Sequence, residues 1–175
     1  MDPFAKARAA ADELIGRIAA RASGRPLVMG ILNVTPDSFS DGGRFAAVEA
    51  ALVHAGAMAA AGADIIDIGA ESTRPGFVPV DATEEWARLE PILGPLIESV
   101  APPVSVDTTK AEIARRAAAL GAAIINDISG LRADPAMAEA AAESGAALVV
   151  MHHCAEIDPE RDIVADMAAF FDETL

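Results

Sequence analysis

Hydrogen-bonding side chains recur at the ends of short apolar runs: Asn33, Asp67 with Glu71, Asp107, Asn126 with Asp127, and His152. Runs rich in Val, Ile, Leu and Met read as strands, and parallel α/β folds bind ligands at the carboxyl ends of their strands. Any one of these residues, taken singly, reads as a cap or a turn. One at the end of every run favours a ligand site, since function concentrates on the loops that follow strands. Period-two alternation lets only one of Asn126 and Asp127 face the inner side of a sheet.

Two of the following loops are long, against a usual ~2–6 residues. The first runs Asn33-Val34-Thr35-Pro36-Asp37-Ser38-Phe39-Ser40-Asp41-Gly42-Gly43 and mixes hydroxyls, carboxylates and one aromatic ring with a glycine pair. That composition suits a segment that closes over a substrate. The second runs Glu71-Ser72-Thr73-Arg74-Pro75-Gly76 and sets Arg74 between Thr73 and a Pro-Gly turn, a rigid mount for a fork of donors suited to an anion. Solvated surface loops are the plainer reading of both. Asp37 to Gly42 begins like a calcium loop, but Phe39 stands at a ligand position and Val48 where the bidentate Glu is needed. Neither G-x-G-x-x-G nor G-x-x-x-x-G-K-[ST] occurs. His152-His153-Cys154 suggests zinc without supplying a second ligand cluster. His54 reads as a surface residue in mid-helix, and Cys154 as an unreactive loop thiol.

The elements that must position these groups alternate regularly. Strands are expected at Leu27–Asn33, Asp64–Gly69, Val104–Asp107, Ala123–Asp127 and Ala147–Met151, each nearly continuous in apolar residues, as in sheets covered on both faces. Helices are expected over Ala46–Ala61, stopped by Gly62; over Glu84–Ser99, capped by Thr83; and over Lys110–Leu120, with Thr109 and Glu112 as a capping box and Gly121 past its end. Another spans Ala136–Glu143 after Asp134-Pro135 and before Gly145. A leading helix covers Pro3–Ala22, and a last one begins near Asp162 and runs toward Leu175. Five βα units fit either an open doubly wound sheet or the first part of a (β/α)8 barrel.

Composition narrows the class. The 175 residues carry 13 basic and 27 acidic side chains, a net charge of −14, which disfavours nucleic acid and anionic lipid as partners. Hydrophobic residues make up 53%, but many are alanines, read as small helix-forming surface more than bulky core. A single cysteine, no basic leader and no apolar run near ~18 residues make a soluble cytoplasmic protein with no membrane partner the expectation.

In this order, the loops resemble dihydropteroate synthase. Gly30 to Gly43 is similar to that family's first signature and Asp67 to Gly76 to its second. Ser105-Val106-Asp107-Thr108-Thr109-Lys110 and Ile125-Asn126-Asp127-Ile128 match its third and fourth strand ends. The resemblance implies a (β/α)8 TIM barrel of which this chain, as one pterin-binding domain over residues 1–175, holds about the first five βα units and stops before strand 6. It also implies condensation of 6-hydroxymethyl-7,8-dihydropterin pyrophosphate with p-aminobenzoate, giving dihydropteroate and pyrophosphate in folate synthesis, with Mg²⁺ as cofactor. Carried over residue by residue, Asn33 would hold the Mg²⁺ and Asp107 and Asn126 the pterin edge. Phe39 and Asp41 would come from the first loop and Thr73, Arg74 and Pro75 from the second, with Asp41 and Arg74 in catalytic roles. Met151 would line the pterin pocket, and Asp67 would be a buried inward carboxylate beside it.

The chain departs from the family after Met151-His152, where His153-Cys154-Ala155-Glu156-Ile157-Asp158-Pro159 is short and acidic. The family's later strands add a pterin-binding aspartate, a lysine and an Arg/His pair that this sequence lacks, so the chain alone is expected to be inactive or nearly so. The family's homodimer is expected to use helices beyond it. Two alternatives remain: a pterin-dependent corrinoid methyltransferase, and a half-barrel kept as a binding or assembly module.

Overall fold

A computed structural model describes residues 2–20, 24–34, 43–71, 79–152 and 160–174. Its elements alternate: α1 (Ala5–Ala20), β1 (Met29–Asn33), α2 (Gly43–Ala60), β2 (Ile65–Gly69), α3 (Ala82–Ser99), β3 (Val104–Asp107), α4 (Ala111–Leu120), β4 (Ile124–Asp127), α5 (Met137–Ser144), β5 (Ala147–Val150) and α6 (Ile163–Thr174). Every strand expected from the sequence is present, Val104–Asp107 with the expected bounds and the other four shorter by a residue or two.

The sheet is wholly parallel and its strands lie in chain order, β1 through β5. That order decides between the two architectures. Right-handed crossovers in one unbroken direction put the connecting helices α2 through α5 on the same face, whereas a doubly wound sheet reverses direction once. The fold is the first five βα units of a (β/α)8 barrel.

The larger core lies between the outer face of the sheet and its helices. Leu32, Ile66, Ile68, Val106 and Ile125 from the strands meet Leu89, Leu93, Leu96, Ile113 and Met137 from the helices. Alanines do more here than the composition suggested. Ala111, Ala114, Ala117 and Ala118 of α4 are all buried, and Ala51 and Ala55 do the same for α2, so small side chains let helices approach the sheet closely. A second cluster closes the N-terminal end of the inner face, where Leu14 of α1 packs on Ile65, Ala123 and Ile124. Asp64 ties this end together, accepting two bonds from Arg25 (2.8 and 3.0 Å), one from Arg17 (3.3 Å) and one from the Val28 amide (3.0 Å).

α2 begins at Gly43 and α3 at Ala82, earlier than the expected Ala46 and Glu84, and two caps differ from expectation. Asp81, not Thr83, caps α3, with its carboxylate accepting from the Glu84 amide at 2.8 Å. Thr109 does not cap α4; Lys110 occupies the cap position without a side-chain bond, and Asp134 reaches from the next unit to accept from the Ala111 amide at 2.8 Å. Asp134 also takes the Ala136 amide at 2.9 Å, and these two backbone bonds hold its carboxyl below the ordinary range. The C-terminal signals hold: Gly62, Gly121 and Gly145 all adopt the left-handed conformation. Among the described residues no helix is long and apolar enough to cross a membrane.

Candidate functional site

Register, more than chain position, assembles the site. Strand pairing aligns Asn33, Gly69, Asp107, Asn126 and Val149 in one row at the C-terminal end of the sheet. The row beneath it holds Ile31, Asp67, Ser105, Ile124 and Ala147. Both rows face the side away from the helices, because the alternate residues Leu32, Ile66, Ile68, Val106 and Ile125 fill the outer core. Asn33, Asp107 and Asn126, expected at the ends of three separate strands, therefore stand on one rim. Asn33 is exposed at its edge.

Asp107 has its space because Gly69 has no side chain. A Cβ at position 69 would lie 3.3 Å from the Asp107 Cβ and 3.4 Å from its Oδ2. Burial, reinforced by the charges of Asp67, Glu85, Glu71 and Asp127, raises the Asp107 carboxyl to about 7. One row down, Asp67 is 4% exposed, and its Oδ2 accepts from Nδ2 of Asn126 at 3.2 Å. Its Oδ1, and the hydroxyl of Ser105 paired with it across the strands, are buried without a hydrogen bond of full geometry among the described residues. Burial pushes Asp67 up as well, opposed in part by Ser105 and Asn126.

Behind the rim lies an ion cluster that the sequence did not reveal. Lys110 Nζ donates to Glu71 Oε2 and to Glu85 Oε2, both at 2.6 Å, and Glu85 is 1% exposed. Burial by itself would lower Lys110, but its bonds to the two carboxylates outweigh this and hold it above the ordinary value. Arg88 adds a bond to the carbonyl of Ala70 at 2.8 Å and pairs with Glu84. The chain leaving β2 is thus gripped at two successive residues. Two signals for this cluster were present in the sequence. Glu85 begins the stripe Glu85, Leu89, Ile92, Leu93 and Leu96, so a charge sits on a buried face. Lys110 is a cation at a helix N-terminus, where the macrodipole disfavours it.

Asp127 and His152 have structural duties. Asp127 faces outward, fully buried, and takes the amide and hydroxyl of Ser129 (2.8 and 2.6 Å) and the amide of Leu131 (2.9 Å). It thereby holds a loop in which Gly130 and Leu131 are both left-handed. His152 bonds to Asp166 at 2.9 Å and meets the Phe170 ring edge-on at 5.1 Å, so it docks α6. Met151 lies at the end of β5, 42% exposed. His54 is exposed on α2, as expected. Phe39, Asp41, Thr73, Arg74, Pro75, His153 and Cys154 fall outside the described residues. Among the described residues no group of three or more His, Cys, Asp or Glu side chains could hold a metal.

Comparison with known proteins decides the family. Residues 29–175 match the pterin binding enzyme family. The chain belongs to it. A dihydropteroate synthase of Bacillus subtilis is 50% identical over 146 residues, covering 82% of this chain and 50% of the relative. The structure of the Xanthomonas albilineans dihydropteroate synthase with 4-aminobenzoic acid superposes with a TM-score of 0.78 at 47% identity, covering 86% of this chain and 55% of that one. That of the Yersinia pestis enzyme, in a sulfonamide drug complex, gives 0.75 at 44% identity over 86% of this chain and 56% of that one. The chain spans about half the length of these family members, and the matched half contains the rim.

Proposed function

We propose that this chain carries the pterin-binding half of a dihydropteroate synthase site, for condensation of 6-hydroxymethyl-7,8-dihydropterin pyrophosphate with p-aminobenzoate. The observation that carries the reading is the row Asn33–Gly69–Asp107–Asn126, which gathers an acceptor-only carboxylate and two amides on one rim. A pterin edge places an amino group and ring N–H groups side by side, and a carboxylate accepts two such donors in parallel. Burial raises the Asp107 carboxyl to about 7, so its capacity to accept both donors is lost as the pH falls.

Asn33, exposed at the rim, offers an amide oxygen of the kind Mg²⁺ accepts alongside phosphate oxygens and waters. When bound there, Mg²⁺ would neutralise charge on the departing diphosphate. Arg74, Thr73 and Pro75 on the second loop are assigned to the diphosphate and the aminobenzoate. Phe39 and Asp41 on the first are assigned to cover the pterin, with the Asp41 carboxylate stabilising positive charge at the pterin methylene. The attacking aniline nitrogen needs no activated nucleophile, in keeping with a site built from amides and acids. The relatives described above are dihydropteroate synthases, which favours this reaction over corrinoid methyl transfer and over a non-catalytic assembly role. The test is calorimetric titration with 6-hydroxymethylpterin, then with p-aminobenzoate in the presence of pyrophosphate and Mg²⁺. Saturable pterin binding that Asp107→Ala and Asn126→Ala both abolish is expected; binding indifferent to both substitutions would overturn the reading.

A further inference from the structure

Asp67 is too deeply placed to be an ordinary ligand contact, yet it is not satisfied like a structural acid. It lies one row below the rim, is 4% exposed, and among the described residues its Oδ1 has no hydrogen bond of full geometry, Ser105 being the hydroxyl beside it. Buried polar groups are rarely left so, and each such case calls for an explanation. Its one hydrogen bond to a rim residue is from Nδ2 of Asn126.

An ionised carboxylate can only accept, whereas an amide has one accepting and one donating end that exchange places on a half-turn. While ionised, Asp67 therefore permits only the orientation seen, with Nδ2 of Asn126 donating to its Oδ2 at 3.2 Å and the amide carbonyl oxygen directed away from it. Asp107, the register partner of Asn126, stands directly alongside. We propose that Asp67 is a positioning residue that locks the Asn126 amide, and so makes the rim select a heterocycle edge rich in N–H donors. An edge with a carbonyl in place of the amino group would meet acceptors only. This deepens the pterin reading and rests on it for the ligand class; it gives Asp67 a role exerted through Asn126. The groups facing Asp67 are Ser105 from β3 and Asn126 from β4, with the Asp107 charge nearby.

The test compares two ligands on two proteins. Affinities of 6-hydroxymethylpterin and of its 2-oxo counterpart, 6-hydroxymethyllumazine, are measured for the unsubstituted chain and for Asp67→Asn. An asparagine at 67 allows either orientation of Asn126, so the preference for the pterin is expected to fall at least tenfold. Equal weakening of both ligands, or an unchanged ratio, would overturn the proposal. A second readout needs no ligand: the Asn126 side-chain NH₂ signals in ¹H–¹⁵N spectra. These should stand apart from free-amide positions and return toward them in Asp67→Asn, or when the unsubstituted chain is acidified until Asp67 takes a proton. Free-amide positions in the unsubstituted chain at neutral pH would refute the lock. If neither heterocycle binds the unsubstituted chain, the ligand reading fails and the amide signals alone decide whether Asp67 orients Asn126.

Discussion

Asp64 and Asp67 stand three residues apart, one just before β2 and one at its middle a row below the rim, both almost wholly buried, and their surroundings are opposite. Asp64 receives two arginines and a backbone amide. Among the described residues, Asp67 receives one side-chain amide and keeps an oxygen without a hydrogen bond of full geometry, beside the Ser105 hydroxyl. The N-terminal end of the sheet has been satisfied for stability, and the C-terminal end left under-satisfied for a ligand. This is the division of labour expected of barrel folds, where the ends of strands carry chemistry and their beginnings carry the fold.

The sharpest way to break this contrast is to truncate one carboxylate at each end. Asp107→Ala should remove roughly 2–5 kcal/mol of pterin affinity, the usual cost of deleting one partner of a buried charged hydrogen bond. Its melting temperature should not fall, since the acid is held there against its preference. Asp64→Ala should do the reverse. Losing bonds to Arg25, Arg17 and the Val28 amide should cost about 2–3 kcal/mol of stability, with ligand affinity nearly unchanged in the protein that remains folded. Arg25 is 55% exposed, so solvent screens its pairing with Asp64 and limits the loss. Denaturant melts and titrations on the same samples check both. If both substitutions acted mainly on stability, the division between the two ends would be wrong.

Acidity separates the ends further. Ligand donors require the ionised form of Asp107, so affinity should drop about tenfold for each pH unit below 7. The stability effect has the opposite sense. The folded chain holds a proton on Asp107 up to about pH 7, while the unfolded chain releases it near 3.8, so stability from this group is greatest in acid and declines as pH rises between those values. Asp107→Asn should flatten both profiles, which calorimetric titrations and melts from pH 5 to 8 would show.

How much of this was legible in the sequence depended on whether the signal was local. Strand ends, glycine stops and the rim residues Asn33, Asp107 and Asn126 were readable, because each is fixed by a short run and its terminator. The choice between open sheet and barrel was not available from composition; it came through motif resemblance, and strand order then decided it physically. Thr83 and Thr109 were misplaced as caps for a related reason. Local sequence offered a good capping residue at both positions, but Asp81 was nearer the true first turn of α3, and Asp134 arrived at α4 from another βα unit. The Glu71–Lys110–Glu85 cluster joins three separate segments, so only its oddities showed: an acid on an apolar stripe and a cation at a helix start.

The smallest effect expected is at Gly69, and it is the most specific test of the rim. Its backbone is not left-handed, so alanine incurs no conformational penalty there. The added methyl group would instead press on Asp107, at 3.3 Å from Cβ and 3.4 Å from Oδ2, a contact relieved by a displacement of a few tenths of an ångström. Stability should therefore change by less than about 1 kcal/mol, well within what a small overpacking costs. The carboxylate, however, would move from the position where it accepts two donors at once, and hydrogen bonds weaken steeply with misalignment. Pterin affinity should fall several-fold in Gly69→Ala with an almost unchanged melt. A fall in stability without a fall in affinity would mean that the glycine serves strand packing and that Asp107 has freedom the register does not suggest.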